Sequence, residues 1–303
     1  MPQLIQGVIP VAHTPFTDDD EIDWPSLERQ IDWALDQGAD GYCTGMVSEL
    51  LRLTVTERHE LTQRLAAMKR GDACFVASVG AESTKQAVEF ARAAEQAGSD
   101  GVMAIPPLSS ALPDEEIVDY FSAIADSISL PVIVQDASGY VGQAIPQSVY
   151  LTLLDRYGAG RILFKPEASP IGPKMSALRD ATNGAARIFE GSGGNLLIDS
   201  YRRGIAGTIP GMEFLDGVIT AWRALQSGDD ETAYRVYFPL CALVALQLQA
   251  GLDGFLAIEK YVLHKRGLFS KPRRRKPNTW QLDEETRLEV DRLLDLLHAA
   301  MDQ

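Results

Sequence analysis

The stretch GRILFKPEASP, residues 160–170, brings one lysine to the end of an apolar run: Ile162, Leu163 and Phe164 precede Lys165, and Pro166 and Glu167 follow it. An ammonium carried by a buried strand loses hydration, which lowers its pKa and releases part of it as free amine. A free amine attacks carbonyl carbon and condenses to an imine. The plainer reading is a lysine that snorkels from the strand end to water. Glu167 stands two residues beyond Lys165, so strand alternation sends both side chains to one face. There its carboxyl serves either as a proton carrier or as an ordinary ion-pair partner.

What decides between these readings is the set of elements that positions Lys165. Short β-branched runs alternate with amphipathic helical runs, with strands expected at 6–11, 40–45, 74–79, 100–105, 131–136, 161–165, 186–191 and 206–211. Helical stretches lie between them, as at 24–38, which opens on Trp24-Pro25, and at 83–98, where Ser83 is an N-cap and Gly98 a stop. DQGADGY and QAGSDGV repeat one joint of helix end, glycine, Asp-Gly and strand. Recurrent joints of this kind mean βα units in a parallel sheet. The pattern predicts an α/β fold, a (β/α)8 TIM barrel with a C-terminal helical extension; a doubly wound sheet is the alternative. Residues 1–227 make the barrel, and helical stretches at 229–249, 253–267 and 283–300 make a 228–303 segment packed on it.

In such a barrel the chemistry sits at the strand C-termini. Lys165 ends strand six, TGMVSELLRLT (44–54) follows strand two, QDASGYVG (135–142) ends strand five and GSGGN (191–195) ends strand seven. Each is polar or glycine-rich where the barrel mouth belongs, which favours the nucleophilic amine. GSGGN also suits a phosphate, as strand-seven loops do. Met46 and Met212 read as wall or core.

Composition narrows the function classes. The net charge of −14 over 303 residues, with a pI near 4.7, speaks against a nucleic-acid partner. The basic run KPRRRK (271–276) reads as a solvated loop. Three scattered cysteines make neither a disulfide framework nor a zinc site, and the four histidines, His13, His59, His264 and His298, show no ligand spacing, so no metal is expected. MPQLIQGVIP lacks a signal-peptide pattern, and FPLCALVALQLQAGL is interrupted by Gln247 and Gln249, too short a run to cross a bilayer. A soluble cytoplasmic protein is expected, with no membrane partner.

TPF (14–16), GMVSELLRLTVTER, PVIVQDASG, FKPE and EGSGG together resemble the dihydrodipicolinate synthase and N-acetylneuraminate lyase family of class I aldolases, over nearly the whole chain. The resemblance implies a (β/α)8 barrel with C-terminal helices, assembled as a homodimer or homotetramer. It implies an imine between Lys165 and the 2-keto group of pyruvate or a longer 2-keto acid, and no cofactor besides that covalent imine. Where the family has Gly-Thr-Thr-Gly-Glu, this chain reads Gly45-Met46-Val47-Ser48-Glu49; its backbone N–H groups suit a carboxylate. Gln135 stands in place of the family's proton-shuttling tyrosine, Tyr140 in place of an arginine, and Leu108 in place of a second tyrosine. Glutamine does not exchange a proton near neutral pH.

VQDASGYVG, VSELLRLT and FKPE are similar to one branch, the L-2-keto-3-deoxyarabonate dehydratases. The implied activity is a lyase that dehydrates a 2-keto-3-deoxy sugar acid, with a pyruvate-dependent aldolase and a non-catalytic keto-acid-binding barrel as alternatives. The site residues are then Lys165, Gln135 and Glu167 for catalysis, and Met46, Val47, Ser48, Glu49, Tyr140, Gly191, Ser192 and Ile209 for substrate contact. Glu49 mainly braces its loop in the family, and Asp136, on the opposite side of its strand from Gln135, reads as structural.

Overall fold

Asp40 and Asp100 show how the repeated joint works. Gly38 and Gly98 close their helices at φ +92° and +91°, a left-handed conformation that costs glycine little. Two residues later an aspartate turns the chain into the next strand. Asp40 Oδ2 accepts the Val8 N–H at 2.8 Å and Asp100 Oδ2 the Phe75 N–H at 2.8 Å, so each carboxylate ties its strand to the preceding one. The helix that Gly98 ends starts as expected, with the Ser83 hydroxyl accepting the Gln86 N–H.

The computed structural model describes residues 4–139 and 141–302. The elements run β1 (Gly7–Val8), α1 (Trp24–Gln37), β2 (Gly41–Cys43), α2 (Val55–Ala67), β3 (Cys74–Ser78), α3 (Thr84–Ala97), β4 (Gly101–Ala104) and α4 (Asp114–Ser127). Then come β5 (Val132–Asp136), α5 (Gln147–Tyr157), β6 (Ile162–Pro166), α6 (Ile171–Ala181), β7 (Phe189–Glu190), α7 (Leu197–Arg202), β8 (Gly207–Thr208) and α8 (Leu215–Ser227). Three more helices follow: α9 (Asp230–Gln247), α10 (Gly251–Lys265) and α11 (Glu284–Met301). This is the expected (β/α)8 order with a helical extension; β1, β7 and β8 are shorter than their apolar runs.

The chain divides into two compact units, one holding the segment up to Gly7, Thr54–Gly191 and Asp199–Thr208, the other Val8–Leu53, Ser192–Ile198 and Ile209–Gln303. In the first, β3, β4, β5 and β6 pair in parallel, with Val76 opposite Gly101, Val102 opposite Val132 and Gln135 opposite Lys165. A bridge from Phe164 to Ile188 continues toward β7, which pairs with β8 through Phe189–Gly207 and Glu190–Thr208. These strands are buried on both faces, which is why they read as continuous apolar runs.

In the second unit α9 packs on α8 and α11. The stretch spanning α9 and α10 reaches the mean hydropathy of a membrane span, 1.6, yet half of its most apolar window is buried in the protein. The basic run is a loop, solvated as expected at Lys271 and Lys276, but its three arginines are half-buried. Lys271 pairs with Asp18, and Arg273 reaches Asp20 at 3.4 Å. Arg274 donates to the carbonyls of Asp253 and Trp280, and the Arg275 guanidinium lies 4.4 Å from the Phe16 ring. The acidic partners that neutralise it lie far away in sequence, out of reach of a local reading.

Candidate active site

The register of β5 on β6 sets Gln135 beside Lys165, and alternation carries Glu167 to the same face. Lys165 Nζ lies 3.5 Å from Glu167 Oε1, and Glu167 Oε2 accepts a hydrogen bond from Gln135 Nε2 at 2.7 Å. All three are almost fully buried. Burial pushes the Glu167 carboxyl above its ordinary pKa, opposed by the Lys165 charge and the Gln135 hydrogen bond and reinforced by Glu190. Desolvation outweighs the cation here, so the carboxyl takes up a proton at a higher pH than an ordinary carboxylate does.

Gly191 makes the arrangement possible. A Cβ at that position would come within 2.3 Å of both Glu167 Oε1 and Lys165 Cε. The glycine-rich EGSGG sequence therefore serves close approach: its first glycine vacates the volume that the lysine and glutamate occupy.

Glu190 and Thr208 belong to this cluster and went unremarked in the sequence reading. Both are fully buried, and the Thr208 hydroxyl donates to Glu190 Oε2 at 2.6 Å. The available signal was an acidic residue at the last position of strand seven, immediately before Gly191. Asp136 faces away from Lys165, as read: Oδ1 accepts from the Ser138 N–H and Oδ2 from the Ile145 N–H, which shapes the loop after β5.

The loop after β2 lies in the second unit. Met46 to Ser48 form a 3₁₀ turn, with Met46 and Val47 half-buried. The Ser48 hydroxyl donates to the Ala12 carbonyl and accepts the Gly45 N–H at 3.0 Å, so it holds the turn in place. Thr14 Oγ1 donates to the Ser48 carbonyl at 2.7 Å. Glu49 sits at φ +57° and is braced by Lys260 at 2.8 Å, Arg52 at 3.3 Å and the Arg275 N–H at 3.0 Å. Ser192 is buried with its hydroxyl accepting the Leu196 N–H, and Ile209 is buried. Tyr140 lies outside the described residues.

Residues 4–297 match the model of the dihydrodipicolinate synthetase family. The chain belongs to that family. It is similar to an L-2-keto-3-deoxyarabonate dehydratase of Azospirillum brasilense, at 28% identity over 94% of this chain and 92% of the relative. It is 30% identical to an N-acetylneuraminate lyase of Citrobacter koseri, over 91% of this chain and 92% of that one. Among solved structures, a dihydrodipicolinate synthase of Rhodopseudomonas palustris matches 98% of this chain and 100% of its own, with a TM-score of 0.85 and 28% identity. A family member from E. coli K12, solved in complex with pyruvate, has a TM-score of 0.86 at 22% identity, over 97% and 99% of the two chains. The fold is the (β/α)8 barrel with C-terminal helices, and the activity class of the family is that of aldolases and lyases.

Proposed function

We propose that this family member is a Schiff-base lyase on 2-keto acids, and that it dehydrates a 2-keto-3-deoxy sugar acid such as 2-keto-3-deoxyarabonate. The observation that carries the reading is Glu167. A buried carboxyl of raised pKa stands 3.5 Å from Lys165 Nζ, anchored by Gln135, in a chain without the family's strand-five tyrosine. The dehydratase from A. brasilense supports the same substrate class.

The steps follow from the groups present. The Lys165 amine adds to the C2 carbonyl and expels water, leaving an iminium that acidifies the C3 proton. Glu167, as carboxylate, takes that proton to give the enamine. The enamine electrons then form the C3–C4 bond's second pair as the C4 hydroxyl departs, with Glu167 returning its proton so that water leaves. In a five-carbon substrate C5 then loses one C–H and its O–H proton while C3 and C4 each gain one, which gives the saturated aldehyde, and hydrolysis of the imine restores Lys165. Glu190, held by Thr208, raises the proton affinity of Glu167, and Gln135 keeps the carboxyl in place. No cofactor enters this sequence. A cytoplasmic homodimer or homotetramer that binds neither nucleic acid nor membrane belongs to the same reading.

Incubation with a panel of keto-deoxy acids tests it. A five-carbon substrate should give 2-oxoglutarate semialdehyde; release of pyruvate would assign the chain to the aldolases. Gln135→Tyr sharpens the choice. A dehydratase that relies on Glu167 should lose activity when a phenol crowds the carboxyl, whereas a tyrosine-type aldolase should gain it.

A further inference from the structure

Far from Lys165 in sequence, three buried groups converge in the second unit. His13 Nε2 lies 3.4 Å from Glu213 Oε2, and Nδ1 lies 3.3 Å from Glu259 Oε2; the three side chains are at most 2% exposed. Their ligand-type atoms all fall within 4.8 Å of one another. Among the described residues, neither Glu213 Oε2 nor Glu259 Oε2 has a hydrogen-bond partner. Two buried carboxylate oxygens thus face one imidazole with nothing donated to either, although buried polar atoms are paired almost without exception.

The neighbours hold the three side chains in place. The Met212 N–H donates to His13 Nε2 at 3.2 Å, and Nδ1 lies 3.2 Å from the Val47 carbonyl. Nε2 thus accepts from Met212, which leaves Nδ1 as the nitrogen that can donate to the Val47 carbonyl. Gln247 Nε2 donates to Glu213 Oε1 at 2.8 Å, which holds that carboxyl in place and leaves Oε2 facing His13. The buried cation next to Glu259 in the chain, Lys260, is matched to Glu49 at 2.8 Å. The two unpaired carboxylate oxygens and the imidazole thus form a buried donor set of three within reach of one ion.

We propose that His13, Glu213 and Glu259 bind one divalent first-row transition metal ion, with Zn²⁺ held more tightly than Mn²⁺. The donor set of one imidazole and two carboxylates suits these ions and places Zn²⁺ higher in affinity. A ring whose other N–H points to a backbone carbonyl is the usual second partner of a metal-bound histidine. The Met212 N–H is the group the ion displaces from Nε2. The role is structural: the ion ties His13, the 45–49 loop through Val47, the Met212-Glu213 segment and α10 together. The site is independent of the Lys165 chemistry.

Untagged protein, stripped with EDTA, is dialysed against Zn²⁺ or Mn²⁺ and measured by elemental mass spectrometry and thermal unfolding. About one Zn²⁺ per chain and a raised Tm are expected, with a smaller rise for Mn²⁺ and none for Mg²⁺. Glu213→Gln and Glu259→Gln should lose both effects, while His298→Ala, at an exposed histidine outside the cluster, should keep them. Metal-free wild type with an unchanged Tm overturns the proposal, as does equal binding by Glu259→Gln. If the glutamine variants do not fold, Co²⁺ added to wild-type protein decides. A nitrogen-ligated, low-coordinate visible spectrum supports the site, and the spectrum of the aqua ion overturns it.

Discussion

Two buried lysines, each beside a glutamate, are held in different ways in this molecule. Lys260 is fully buried on α10; its ammonium meets the Thr14 carbonyl, Glu49 Oε1 at 2.8 Å and the ring faces of Phe16 at 4.7 Å and Phe269 at 5.5 Å. Burial lowers the pKa of this ammonium, and Glu49 and Glu259 oppose that shift without cancelling it, while its donors stay committed to Thr14 and Glu49. Lys165 is nearly as buried, but Glu167 Oε1 stands at 3.5 Å, beyond the 2.7–2.9 Å of a tight charge-assisted hydrogen bond. Burial alone therefore does not mark a reactive lysine. The difference lies in how completely the partners saturate the amine, and in the volume that Gly191 vacates beside it.

The largest expected contrast sets Lys165→Arg against Lys260→Met. Borohydride with pyruvate should add the mass of a reduced adduct to the parent protein and nothing to Lys165→Arg, because guanidinium does not deprotonate. Turnover should disappear with it, while stability stays close to that of the parent. Lys260→Met should instead cost about 3 kcal/mol in denaturant unfolding, since it takes the nearest cation from the buried Glu49 carboxylate and leaves it Arg52 and the Arg275 N–H, and its folded fraction should still trap the imine. Adduct formation by Lys165→Arg, or an unchanged stability of Lys260→Met, would break the comparison.

Glu167→Gln comes next. It should lower kcat by about 10²–10⁴-fold with imine trapping retained. Its pH profile carries the sign. Burial raises the Glu167 pKa, so the carboxylate proposed to take the C3 proton forms only above the ordinary carboxylate range. Parent activity should fall as pH drops through that raised value, and the variant's residual activity should lack this acid limb. Gly191→Ala should follow, with roughly a 10²-fold loss in kcat, because its methyl group displaces the Lys165 and Glu167 side chains. A crystal structure with both side chains unmoved would count against that account. The smallest effect belongs to Thr54, whose hydroxyl accepts the Glu57 N–H while the Glu57 side chain returns the bond at the start of α2. Thr54→Ala should cost about 1 kcal/mol of stability and leave kcat alone.

The sequence by itself determined what depends on near neighbours. Strand and helix order followed from periodicity, and the Ser83 cap and Gly98 stop from local hydrogen bonding and backbone freedom. The shared face of Lys165 and Glu167 followed from two-residue alternation, and Gln135 was legible as the residue standing where a tyrosine was expected. Only the tertiary structure decided what depends on partners distant in the chain. Glu190 and Thr208 meet because β7 and β8 pair in one register. Lys271, Arg273 and Arg275 of KPRRRK pair with Asp18 and Asp20. His13, Glu213 and Glu259 share no spacing that a linear reading could detect, yet folding brings their ligand atoms within 4.8 Å. The physical reason is common to all three: the free energy of a buried charge is set by whatever lies within a few ångströms of it, and for these residues that company comes from remote segments of the chain.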